Sequence, residues 1–257
     1  MKYPLFHTCS VWINGRLLKR TNRKEFILQG KRKDFSTMIE QMLKQISQLY
    51  PLQERDTGEY QKVTVKPMRF QIRSFRAEGL GNVSVMSGKA MAGLMKMDTL
   101  IINPFEHDAS LFSYDRIHAM GKDTLLLELY DTRISKEKSM REDGAVLDGL
   151  LTRYADIPQQ PQPLGWMEPV HYPQSVKKAG KKLTSRFDEM TVSYLDIYLK
   201  YVGEAPACDP AEKKQAAKVY SEGLLEHGGL STDQFVKAKG RAFTEDLFRR
   251  YLFGTEE

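Results

Sequence analysis

Cysteine is scarce in these 257 residues: Cys9 and Cys208 are the only two, they stand far apart, and neither belongs to a CxxC pair. That excludes a disulfide framework and leaves too few thiolates for an iron–sulfur cluster or a structural zinc site. The histidines, His7, His107, His118, His171 and His227, never fall at the i, i+4 spacing of a helical metal site. A glycine-rich nucleotide loop is missing as well: Gly79-Leu80-Gly81 stops short of GxGxxG, because Ser84 stands where the third glycine belongs. No stretch approaches the roughly 18 uninterrupted apolar residues of a membrane-spanning helix. Met1-Lys2-Tyr3-Pro4 lacks the charged-then-apolar order of a signal peptide. These absences lead to the expectation of a cytoplasmic protein with no metal and no bound cofactor, whose redox chemistry must draw on an external electron source.

What the chain does have is charge and periodicity. Thirty-nine Lys and Arg against 33 Asp and Glu give a net charge of +6, and the 41% of hydrophobic residues can fill a core at this length. Basic residues cluster early, at Arg16, Lys19, Arg20, Arg23, Lys24, Lys31, Arg32 and Lys33. A run of that kind is a solvated face or a guide for an acidic partner. From Thr37 a helix is expected, with Thr37 and Glu40 as a capping box, Met38, Met42, Ile46 and Leu49 on one face, and Pro51 as its end. Residues 52–61 read as polar loop. Period-two runs at 62–75, 83–87, 94–103, 111–119 and 124–130, separated by Gly, Asn, Pro and Asp, predict five strands of an antiparallel meander.

Beyond Arg133 the spacing turns helical. Val146, Leu147, Leu150, Leu151 and Tyr154 make one stripe, and a Gln/Pro-rich connector follows at 158–163. Phe187, Met190, Tyr194, Ile197, Tyr198 and Tyr201 make a second stripe, then comes 211–226, then a terminal helix with Phe243, Leu247, Phe248, Tyr251 and Leu252. The expected architecture is an α/β fold, a three-layer α/β/α sandwich with a central antiparallel sheet flanked by helices, as a single domain over residues 1–257.

Candidate chemistry centres on Ser110-Leu111-Phe112-Ser113-Tyr114-Asp115-Arg116-Ile117-His118. Alternation sends Leu111, Ser113, Asp115, Ile117 and Ala119 to one face, so a carboxyl sits mid-strand among small and apolar neighbours. Burial of that kind raises a carboxyl pKa toward neutrality, as a proton donor requires. Asp98 is expected on one face with Leu94, Leu100 and Ile102, so the two acids are read as sharing a pocket wall. His118 falls on the opposite face from Asp115. His227, in Glu226-His227-Gly228-Gly229, ends a helix and faces solvent or sheet.

These residues carry a resemblance. Phe75 to Thr132, above all Asn103-Pro104 followed by Leu111-Phe112-Ser113-Tyr114-Asp115-Arg116-Ile117, resembles the ferredoxin-dependent bilin reductases. In that family a strand ending in proline precedes a Leu/Pro-Phe-Gly-x-Asp-Ile/Val strand that bears the catalytic aspartate. The run from Lys237 to Phe253 is similar, without gaps, to the family's terminal helix with its Leu-Phe pair. The resemblance implies an α/β/α sandwich that binds a linear tetrapyrrole, biliverdin or a dihydrobiliverdin, between sheet and C-terminal helices. It implies reduction by single electrons from reduced ferredoxin or flavodoxin, with protons from the protein. Asp115 falls on the family's aspartate. Asp98, or with Pro104 aligned Thr99, falls on a position held by histidine or asparagine, and His227 on a C-terminal Asp/Asn position that faces the pigment.

The chain departs from the family where phycocyanobilin-forming members carry a glutamate: Met86 stands there, and the relay histidine is absent, which points to another regiochemistry. Met86, Thr99, Arg73 and Arg116 are the expected substrate-binding residues, and Arg73, Arg76, Lys89, Lys96 and Arg116 near the sheet are candidates either for holding propionates or for steering an acidic ferredoxin. Lys177, Lys178, Lys181 and Lys182 form a separate basic patch. The expected protein is a monomer that meets ferredoxin, no nucleic acid and no membrane. Two alternatives stay open beside the reductase, a non-catalytic tetrapyrrole binder on the same fold and a reductase of a chlorophyll catabolite. Nucleic-acid binding ranks last, since aromatics do not interleave with the basic residues and no helix-turn-helix signature is present.

Overall fold

The computed structural model of the protein describes residues 36–135, 141–162 and 164–257. The chain divides into Met1–Lys33 and Asp34–Glu257, and every described residue belongs to the second unit. The early basic run, Cys9, His7 and the first stretch of the single-domain reading lie outside the described residues.

Helix α1 (Thr37–Leu49) is capped one residue earlier than the spacing suggests, by Ser36, whose Oγ accepts from the Ile39 amide at 3.3 Å. Glu40 is thereby freed from capping and reaches Arg73 at 3.4 Å. Ile39, Met42, Leu43 and Ile46 form the buried stripe, while Leu49 is exposed. Tyr50, extended at φ −128° ahead of Pro51, ends the helix.

The sheet has eight strands: β1 (Leu52–Arg55), β2 (Lys62–Val65), β3 (Met68–Ala77), β4 (Gly81–Ala90), β5 (Met95–Pro104), β6 (Leu111–Ala119), β7 (Lys122–Tyr130) and β8 (Val176–Lys181). β3 to β7 are the expected antiparallel meander, β1 and β2 both pair with β3, and β8 closes the far edge beside β7. Three details depart from the sequence reading. The run 62–75 is two strands, broken at Pro67, which has no amide to give to a ladder. The supposed loop at 52–61 begins with β1, and the lysine patch at 177–181 is β8. Lysines suit an edge strand because they discourage further pairing. The Gln/Pro segment also covers that edge, with the Gln160 amide donating to Lys177 O at 2.7 Å.

Alternation along the strands fills both faces. Phe75, Val83, Val85, Leu100, Ile102, Phe112, Tyr114, Leu125, Leu127 and Leu129 bury against α1, α2 (Arg141–Thr152) and α3 (Thr184–Glu204). Phe112 stacks on Tyr198 of α3 at 5.1 Å. Phe70, Ile72, Met86, Ile101, Leu111 and Tyr130 face the other way, toward α4 (Pro210–His227), α5 (Leu230–Lys239) and α6 (Arg241–Asp246), which runs on as a π-helical turn at Leu247–Leu252. The result is the three-layer α/β/α sandwich. Fully burying each large apolar side chain contributes about 1.5–3 kcal/mol.

The terminal helix expected at 237–253 is broken at Gly240, which adopts φ +89°. Its last carbonyls are taken up by polar side chains of the sheet. Ser84 Oγ donates to Leu252 O at 2.7 Å, Ser74 Oγ to Tyr251 O at 2.9 Å, and Asn103 Nδ2 to Phe253 O at 2.9 Å. These bonds satisfy groups a helix end leaves orphaned and pin the last turn onto the strands. Among the described residues no helix is long and apolar enough to cross a membrane, and no cluster of His, Cys, Asp and Glu is placed to hold a metal ion.

Candidate functional site

Between the sheet and the C-terminal helices lies a cavity of about 280 Å³. Its floor is built by period-two geometry from four adjacent strands. In register, Thr99 of β5 is the partner of both Met86 of β4 and Asp115 of β6, and Asp115 is the partner of Leu126 of β7. One rung away run Ser84, Ile101, Ser113 and Glu128. Met97, Thr99, Ile101, Ser113, Asp115, Ile117, Leu126, Glu128 and Tyr130 all line the floor. The roof is Met167, Tyr220 and Leu224, then Ser231 and Thr232, then Phe248, Leu252 and Phe253, with Gln162 at one side. The lining therefore holds two carboxyl groups and no lysine or arginine.

Asp115 is held in place by its neighbours. Thr99 Oγ1 donates to its Oδ1 at 2.5 Å. Burial pushes its carboxyl up to about 7, against the lowering effect of the Thr99 hydrogen bond, and the negative charge of Glu128 adds to the rise. A carboxyl in that range holds its proton part of the time at neutral pH and can hand it to a ligand.

Glu128 escaped the sequence reading. A lone acid in the leucine-rich strand 124–130, on the same alternation as Leu126 and Tyr130, was the available signal. Its Oε1 accepts from Gln162 Nε2, and His171 Nε2 stands 3.7 Å from the same oxygen. The Tyr130 hydroxyl is hydrogen-bonded with Glu128 and with Tyr220, and burial raises its pKa far above the ordinary tyrosine value. Tyr130 and Tyr220 stack at 4.0 Å. Gln162, read as part of a connector, is thus a wall of the cavity.

The sequence candidates separate into two groups. Asp115, Thr99 and Met86 come together in the lining. Asp98, Arg73 and Arg116 do not, because each lies one residue out of phase with the floor. Asp98 faces the opposite side of the sheet from Asp115, its Cα partner being Arg116, and it accepts a hydrogen bond from Ser87. The expectation of a shared pocket wall is corrected accordingly: Thr99, not Asp98, is the β5 residue beside Asp115. Arg73 sits on the α1 face, bound to Glu54 at 2.8 Å and Glu40 at 3.4 Å. Arg116 lies on that face too, 3.1 Å from Asp123, with its guanidinium over the Phe187 ring at 4.7 Å. Neither arginine can meet a propionate in this cavity. His118 pairs with Asp123 at 2.9 Å, away from the cavity as its alternation implies. His227 is half exposed, outside the lining, with its ring 5.7 Å from Trp166, which in turn lies 5.8 Å from Tyr220.

No protein-family model matches the sequence, and no curated protein matches it. Among solved structures the fold is similar to phytochromobilin synthase from tomato, crystallised in complex with biliverdin, with a TM-score of 0.68 over 85% of this chain and 82% of that one, at 12% sequence identity. The shared feature is the three-layer α/β/α sandwich.

Proposed function

We propose that this protein is an oxidoreductase that reduces a linear tetrapyrrole in the cavity between sheet and C-terminal helices. The observation that carries the reading is Asp115, a carboxyl pushed up to about 7 by burial in the floor of that cavity. The similarity of fold to phytochromobilin synthase, crystallised with biliverdin, supports the substrate class. A slot walled by Met86, Met97, Tyr220, Phe248 and Phe253 suits a flat, conjugated, largely apolar molecule.

Each two-electron reduction consumes two protons. Asp115 protonates the bound tetrapyrrole, which raises its electron affinity, and one electron from reduced ferredoxin or flavodoxin gives a neutral radical. A second proton and a second electron complete one reduced double bond. Thr99 orients the Asp115 carboxyl, and Met86, where phycocyanobilin-forming enzymes place a glutamate, leaves that end of the slot without a proton donor. The protein acts as a cytoplasmic monomer, and its net charge of +6 favours encounter with an acidic electron carrier.

The test is an anaerobic absorption assay with biliverdin, followed by a ferredoxin-reducing system. A shifted bilin spectrum that then bleaches stepwise, with reduction lost and the shift retained in Asp115→Asn, is the expected result. A shift without turnover in the wild-type protein would make it a tetrapyrrole binder, and no shift would remove the reading altogether.

A further inference from the structure

The proposed reduction needs a second proton, and the cavity contains a second carboxyl. Glu128 lies one rung from Asp115 on the same sheet face, the diagonal neighbour across β6 and β7, a position about 7–8 Å away in a regular antiparallel pair. It lines the cavity while only 5% of its surface is exposed. Burying a carboxylate without a cation is costly unless neighbouring groups pair with it.

His171 answers that need. Residues on either side of it are tied to the end of β7: the Asp131 amide donates to Val170 O at 2.6 Å, and the Tyr172 amide to Leu129 O at 3.0 Å. This anchoring aims the imidazole at Glu128. His171 Nε2 is buried and makes no hydrogen bond, and the carboxyl group 3.7 Å away is the charged group it faces. The other groups around Glu128 are neutral at physiological pH: Tyr130 from its own strand, Tyr220 from α4, and Gln162 from the connector. Asp115 is the nearest other acid on the floor.

We propose that Glu128 is the second proton donor of this cavity, coupled to Asp115 across one rung of the sheet, with His171 as the positioning residue that supplies Glu128 from behind. The inference rests on the reductase reading and deepens it. Asp115 gives the proton that accompanies the first electron. Glu128, charged at rest, takes up a proton through His171 and passes it on with the second electron, so that two protons and two electrons enter the substrate.

The experiment uses the full chain with biliverdin and reduced ferredoxin under anaerobic single-turnover conditions, followed by visible absorption and electron paramagnetic resonance. At acid pH, where Asp115 keeps its proton in both proteins, Glu128→Gln is expected to bind biliverdin with affinity within a few-fold of wild type, to form the one-electron radical at the normal rate, and to slow its disappearance on the order of 10²-fold. His171→Asn is expected to slow that same step by a smaller factor, with kcat reduced and KM unchanged, a split that a merely structural role would not produce. A second measurement needs no turnover: the protonated Asp115 carboxyl, followed by infrared titration, should lose its proton at lower pH in Glu128→Gln than in wild type. Wild-type radical decay in Glu128→Gln, or an unmoved Asp115 titration, overturns the inference while Asp115→Asn still tests the reductase. If wild-type protein fails to reduce biliverdin, the donor role falls together with the reductase reading, and the infrared titration alone decides the coupling.

Discussion

The two faces of the sheet treat the same kind of residue in opposite ways. On the α1/α3 face, Asp123 lies buried beside Arg116 at 3.1 Å. Burial by itself would push its carboxyl up, but hydrogen bonds from Thr184 and His118 and the Arg116 guanidinium outweigh it and hold Asp123 below the usual range. On the other face Asp115 has only hydroxyl donors and a neighbouring acid, so burial wins and its carboxyl rises to about 7. One face holds Asp123 below the usual range inside a packed core, and the other holds Asp115 near neutrality beside a cavity. A mid-strand aspartate thus keeps a proton near neutral pH through what is missing around it, namely a cation.

Substitutions sharpen that contrast, beginning with the largest effect. Asp115→Asn should lower the rate of biliverdin reduction by at least about 10²-fold while the bilin still binds, because the amide keeps the shape and loses the proton. Wild-type turnover in that variant would break the comparison at its centre. On the packed face, Arg116→Met should destabilise the fold by about 3 kcal/mol in urea unfolding, since it strands Asp123 without its cation. Biliverdin affinity should stay as it was, because Arg116 points away from the cavity.

The faces should also respond to pH with opposite sign. Asp115 has a folded pKa raised above its unfolded value of 3.8, so between roughly pH 4 and pH 7 the unfolded chain releases the proton first. Its contribution to stability is therefore greatest in acid and declines as pH rises to about 7, and Asp115→Asn should flatten that decline. Asp123, with its pKa lowered, stabilises above the ordinary carboxylate range and loses that contribution in acid, so Asp123→Asn should abolish an acid-side loss instead. Urea midpoints of both variants across the pH range would show whether the slopes separate.

Two smaller effects concern the roof and the Asp115 hydrogen bond. Gly254 ends the terminal turn at φ +65°, where an added Cβ would lie 2.6 Å from the Asn82 side chain. Gly254→Ala should cost about 1–3 kcal/mol and loosen the roof against the floor, which amide exchange at Leu252 and Phe253 would reveal. Thr99→Val removes the hydroxyl that steadies ionised Asp115, so the pH at which reduction declines should move upward.

Much of the fold is legible in the chain. Helix α1, the meander of β3 to β7 and the stripes of α2 and α3 follow from periodicities in the chain, because each element buries one face against a neighbour, although Leu49 and Val146 of the expected stripes are exposed and Tyr154 lies past the end of α2. Alternation also puts Ser113, Asp115 and Ile117 on a common side, where they line the cavity. The same rule groups Asp98 correctly with Leu100 and Ile102, but that group belongs to the α1/α3 face. Alternation within one strand cannot say which side a neighbour's set shares, since that depends on register, and Asp98 and Thr99 differ by a single step. Glu128, Gln162 and His171 are separated along the chain and meet only because β7 pairs with the segment around His171 while the connector folds over the edge.

The sequence by itself determined the alternation, the helix faces and the placing of one acid among apolar neighbours, because those depend on contacts between residues close in the chain. Which cations a neighbouring strand could bring to Asp115 was decided by tertiary structure. Alternation alone turns Arg116 to the other face, whereas Arg73 is turned away from the cavity by the register of β3 with β4 and β5. Asp115 was thereby left in a low-dielectric floor where a proton is easier to hold than a charge.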